Sequence, residues 1–193
     1  MSKKLLIAFM FLFSVTANAG LVIEPLVGYG LSGTFTDKNV TPNTEKEFSG
    51  VEFGGRLGYS FLGAMAGVHY SMGTKTFDSS GTGSEVDYDI SNLGVFVGYQ
   101  APILIKAWAT YYLDHKAEAT INNSAYETSG SAIAFGAGYT GLPFVSLNVE
   151  YRMVTYDEEV SGGTTTALTT KNEATEIFIW GVGRCCTITS SAS

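Results

Sequence analysis

From Leu21 onward, apolar and polar side chains alternate with a period of two, in short segments separated by glycine-, threonine- and aspartate-rich stretches. That period predicts strands. In residues 21–31, Leu21, Ile23, Pro25, Val27, Tyr29 and Leu31 share a face, opposite Val22, Glu24, Leu26, Gly28 and Gly30. Val51, Phe53, Leu57, Tyr59 and Phe61 repeat the pattern against Gly50, Glu52, Gly54, Arg56 and Gly58. Third and fourth segments put Ala66, Val68, Tyr70 and Met72 against His69 and Ser71, and Leu93, Val95, Val97 and Tyr99 against Asn92, Gly94, Phe96 and Gly98. The fifth opposes Ile105, Ala107, Ala109, Tyr111 and Leu113 to Lys106, Trp108, Thr110, Tyr112 and Asp114. The sixth carries Ile133, Phe135, Ala137 and Tyr139 on one face. The seventh sets Val145, Leu147, Val149, Tyr151 and Met153 against Ser146, Asn148, Glu150 and Arg152. The eighth runs from about Thr175 to Gly183, with Phe178, Trp180 and Val182 on one face.

Eight is an even number of segments, which single-chain bacterial barrels require. The connections alternate in length. Short ones fall at Ser60–Gly63, Gln100–Pro102 and Thr140–Pro143, long ones near 36–47, 77–89, 114–129 and 157–173. Short turns at one end and long loops at the other are the expected asymmetry of a transmembrane barrel. Tyr59, Tyr99 and Tyr139 recur every 40 residues, each on the apolar face just before a short turn. Tyrosine favours the membrane–water interface, so these three, with Trp180, are predicted to form an interfacial girdle.

The second face decides between a soluble and a membrane barrel. A soluble barrel points its apolar face inward and needs a charged exterior. Here the second face is mostly Gly, Ser and Ala with a few charges, which suits a narrow, filled lumen. Glu24, Glu52 and Glu150 are therefore expected to pair inside with Arg56, Lys106 and Arg152, because a charge removed from water requires a partner. All other acidic residues fall in or beside the four long loops.

Residues 1–19 read as a signal peptide: Lys3 and Lys4, an apolar stretch over Leu5–Val15, then Ala17-Asn18-Ala19. The apolar stretch is too short to span a bilayer, which needs about 20 residues. The chain has 11 Lys and Arg against 18 Asp and Glu, and Lys3 and Lys4 would leave with the leader. This acidity argues against nucleic acid as a partner. Cys185 and Cys186, the only cysteines, form no disulfide framework. No Cys/His cluster has zinc spacing, and neither a metal nor a cofactor is expected.

Further chemistry can be read at isolated positions. Asp87, Asp89, Asp157, Glu158 and Glu159 could gather divalent cations beside lipopolysaccharide phosphates. Phe96, Trp108, Tyr112 and Phe144 could line an apolar lumen site. His69 and Ser71 share a strand face and could act as base and nucleophile. His115 begins a long loop without an evident partner.

With Val97-Gly98-Tyr99, Ala137-Gly138-Tyr139 and turns carrying Pro102 and Pro143, residues 20–183 resemble the OmpA/OmpX-type small outer-membrane barrels. The resemblance implies an all-β, eight-stranded, antiparallel, up-and-down transmembrane barrel. Such a chain is exported through the periplasm to the outer membrane of a Gram-negative cell. Its implied partners are outer-membrane lipid and lipopolysaccharide, the barrel assembly machinery, and an extracellular ligand at the loops. A structural or surface-interaction role without enzymatic activity is the leading implication, with a narrow porin-like channel second. The His69-x-Ser71 spacing is similar to that of outer-membrane lipid A deacylases, but Met72 departs from their usual asparagine. Residues 184–193 also depart from the pattern. Arg184 stands where a terminal aromatic is usual, and the tail reads as appended or frame-shifted sequence.

Overall fold

The computed structural model describes residues 20–38, 44–78, 85–121, 124–161 and 164–183. Residues 1–19, read above as a signal peptide, and residues 184–193, with Cys185 and Cys186, lie outside the described residues. The described chain forms eight strands: β1 (Gly20–Asp37), β2 (Thr44–Phe61), β3 (Ala64–Asp78), β4 (Glu85–Gln100), β5 (Ile105–Ile121), β6 (Ser124–Tyr139), β7 (Val145–Ser161) and β8 (Thr164–Gly183). Each pairs antiparallel with its neighbours in sequence, and β1 pairs with β8 to close the barrel. Closure removes the free sheet edges that a membrane would not tolerate.

The alternation decides which side chains face out. Val51, Phe53, Leu57 and Tyr59 of β2 are exposed, as are Val145, Leu147, Val149 and Tyr151 of β7. Between them Glu52, Arg56, Glu150 and Arg152 are buried in the lumen. The outer surface is thus an apolar belt around a polar interior, the reverse of a soluble protein and the arrangement that lipid requires. The short turns extend the belt. Leu62, Leu104 and Phe144 occupy the left-handed region at φ 51°, 64° and 65° and expose their side chains there. Phe144 is 83% exposed, so it lies outside the barrel and not in an apolar lumen.

The long loops are mostly strand. The expected loop at 114–129 is an almost continuous ladder that reaches Ile121↔Ser124, and the one at 157–173 runs to Ser161↔Thr164. Weak polar alternation hid these extensions, which need no apolar outer face because they stand beyond the belt. Bulges mark the transition: Gly30/Gly33 in β1, Leu93/Gly94 between β4 and β5, Tyr112/His115 between β5 and β6, Ser129/Gly130 between β6 and β7, and Tyr156/Glu158 between β7 and β8. They arise from extra residues in β1, β5, β7 and β8, and in β1 and β5 the in–out phase reverses above them. His115 therefore lies buried within β5 and does not open a loop.

Close strand approach explains one glycine pair. Gly58 and Gly67 face each other across β2 and β3, and a Cβ on Gly67 would sit 2.2 Å from the Leu57 carbonyl oxygen.

Candidate functional site in the barrel lumen

The lumen holds a continuous ladder of ion pairs. At the end nearest the short turns, Lys106 Nζ donates to Glu24 Oε1 at 2.7 Å, and Arg56 lies 3.8 Å from the other oxygen of Glu24. Arg56 also donates to Glu150 at 3.1 Å and, through Nε, to His69 Nδ1 at 3.1 Å. Its guanidinium lies 4.4 Å from the Trp108 ring centre, a favourable seat for a weakly hydrated planar cation. The indole N–H of Trp108 and the hydroxyl of Tyr112 both donate to Glu150, at 3.0 and 3.2 Å.

Arg152 is the hub. It donates to Glu52 at 2.9 and 3.3 Å and to Glu150 at 3.2 Å, with its guanidinium between the rings of Tyr112 and Phe178 at 4.7 and 4.6 Å. Glu52 also accepts from Ser71 at 3.0 Å and Asn92 at 3.2 Å, and lies 3.4 Å from Lys75. Lys75 in turn grips both oxygens of Glu176 at 2.6 Å. Above this layer, the His115 ring joins the Asn92 side-chain oxygen to the Tyr156 hydroxyl, the latter at 2.9 Å.

Among the described residues, the lumen carboxylates Glu24, Glu52, Glu150 and Glu176 are equal in number to the cations Arg56, Lys75, Lys106 and Arg152. Their charges cancel, and every one of these groups touches an opposite charge. The arrangement can therefore fill a low-dielectric interior without leaving an isolated charge. Aromatic rings occupy the space between the pairs: Phe178 stacks on Trp180, and His69 meets Trp180 and Tyr112 edge-on.

All six charges expected in the lumen, Glu24, Glu52, Arg56, Lys106, Glu150 and Arg152, are placed there. Lys75 and Glu176 belong to the same network and were missed. Lys75 continues the lumen phase of His69 and Ser71 beyond the segment end assumed from apolarity, and Glu176 shares the face of Phe178 and Trp180. Glu176 is thus a lumen residue and not a loop carboxylate.

Tyr59, Tyr99 and Tyr139 are exposed on the outer surface near the short turns. Trp180 is not with them. It is 1% exposed and packs into the lumen against Gly28, where a Cβ would meet its ring at 2.3 Å. The outward residues of β8 are Ile177 and Ile179. Hydrophobicity misplaced Trp180, because an indole can fill a lumen left open by glycine as readily as it sits at an interface.

The other candidate groups are committed elsewhere or apart. His69 accepts from Arg56, and Ser71 donates to Glu52, so neither is bonded to the other as base and nucleophile. Phe96, Trp108 and Tyr112 point inward but pack on Arg56 and Arg152. Asp87 and Asp89 accept from Thr76 and Thr74 at 2.7 and 3.2 Å, while Asp157 is 3.5 Å from Lys171. Among the described residues no group of three or more His, Cys, Asp or Glu side chains could hold a metal ion.

The fit between glycine and aromatic ring is testable at Gly136, where a Cβ would lie 2.1 Å from the Trp108 ring. Trp108 cannot yield freely, since it carries Arg56 on its face and bonds Glu150 through its N–H. Gly136→Ala is expected to cost about 1–3 kcal/mol by overpacking, measured as a lower urea midpoint of the barrel folded in lipid vesicles.

No family model matches the chain, and no curated protein matches it. Among solved structures it is similar to Neisserial surface protein A (NspA), with a TM-score of 0.51 and 13% identity, over 86% of this chain and 99% of that one. At that identity the likeness concerns the fold alone.

Proposed function

We propose that this protein is a closed outer-membrane barrel with a structural or surface-interaction role and no enzymatic activity. One observation carries the reading: an apolar, tyrosine-edged outer belt encloses a lumen filled by charge-balanced ion pairs and rings. The belt favours lipid as its surroundings, outer-membrane lipid and lipopolysaccharide in a Gram-negative cell. The filled lumen disfavours passage of solutes, because moving through it would separate buried pairs. What remains for contact is the end with the extended hairpins, which faces the medium if both termini are periplasmic. Export through the periplasm and insertion by the barrel assembly machinery belong to the same proposal.

The test is electrophoresis of outer membranes from expressing cells, with and without boiling. A band that changes mobility on boiling supports a folded barrel in the membrane. An unshifted band, or protein recovered soluble from the periplasm, would count against the proposal. In planar bilayers the purified barrel is expected to give no resolvable open state; steady unitary currents would favour a channel.

A further inference from the structure

Beyond this structural role, the mouth of the barrel away from the short turns contains a second feature. Above the ion-pair ladder, three hairpins each send a cross-strand pair inward at one height: Phe35 with Lys46, Phe77 with Val86, and Ala117 with Thr128. Together with Tyr88 and Tyr156 these pairs line a partly enclosed cavity of about 180 Å³. Its rings Phe35, Phe77 and Tyr88 pack against the buried cluster that holds Phe48, Ile90, Ala117 and Val154.

We infer that this vestibule binds a small aromatic acid, one six-membered ring bearing an anionic substituent. Three observations point to that occupant. An apolar protein cavity of about 150 Å³ accommodates a benzene ring, so the size here suits a single ring. The walls are aromatic: Phe77 meets Tyr88 edge-on at 4.8 Å, and Phe35 lies 5.8 Å from Tyr156. Such rings favour a further ring in edge or offset contact. Lys46 is the one charged side chain among the described lining residues, and it is exposed at the rim. It stands directly across from Phe35, so a ring seated against Phe35 would hold its carboxylate at the ammonium. Thr128 and Tyr88, which carry hydroxyls, also line the cavity.

The experiment uses the full-length barrel in lipid nanodiscs, titrated with 4-fluorobenzoate and with fluorobenzene and followed by fluorine NMR. Nanodiscs without protein measure partition into lipid. Saturable binding of both probes is expected, with 4-fluorobenzoate the tighter. Lys46→Gln should weaken 4-fluorobenzoate about threefold, the scale of an exposed ion pair, and leave fluorobenzene unchanged. Ala117→Phe should fill the cavity and abolish both; if that variant does not fold, Val86→Trp on the opposite wall replaces it. The inference is overturned by uptake no greater than that of empty nanodiscs, by equal affinity for the two probes, or by binding that survives in a folded cavity-filled variant. None of these outcomes bears on the mobility shift that tests the barrel itself, so the two readings fail separately.

Discussion

Arg152→Met is expected to destabilise the folded barrel by about 3 kcal/mol, the lower end of what breaking a buried ion pair costs. Methionine keeps much of the side-chain volume between Tyr112 and Phe178, so the loss is mainly one of charge. Glu52 and Glu150 would each lose a guanidinium while remaining fully buried. Lys75 at 3.4 Å from Glu52 and Arg56 at 3.1 Å from Glu150 supply partial compensation, which is why the lower figure applies. The measurement is urea unfolding in lipid vesicles. A second variant separates charge from packing: Glu52→Gln combined with Arg152→Met should recover about 1 kcal/mol or more of the loss, because one stranded carboxylate is gone. The penalty should also be the same at low and high salt, since buried pairs are little screened. A midpoint unchanged by Arg152→Met would mean that the lumen admits enough water to solvate both carboxylates.

Val149→Arg is expected to cost about 2–4 kcal/mol in a lipid bilayer, the penalty for a cation at mid-depth on the outside of a barrel. Val149 is 55% exposed, midway along the outward row from Val145 to Met153, with Ala137 and Ile179 as its cross-strand neighbours. On a soluble protein such an exposed substitution would change stability by about 0.5 kcal/mol or less. The same variant therefore reports what surrounds the belt. A large loss in vesicles places the belt in hydrocarbon; a neutral result would make the belt an aqueous surface and remove the basis for the membrane reading.

The fold was legible because the strand repeat is local. Every second residue faces the same way, so Val145 to Met153 announced their outward row, and Glu150 and Arg152 their inward one, without knowledge of any partner strand. Eight such rows with alternating short turns then leave a closed antiparallel barrel as the arrangement that pairs every edge. The six lumen charges were legible for the same reason.

What the sequence by itself determined, then, is the in–out alternation, the strand count, and which charges must be hidden. What only the tertiary structure decided is phase and partnership. Bulges such as Tyr112/His115 shift the phase where no apolar residue signals it, and so turn His115 into an interior bridge between Asn92 and Tyr156. Trp180 took the lumen because Gly28, on the strand that closes the barrel, leaves room for its ring. Lys75 and Glu176 lie on β3 and β8 and meet only across the closed lumen. Alternation is a property of one strand, whereas bulge position, cavity shape and ion-pair choice depend on how strands distant in sequence come together around a common axis.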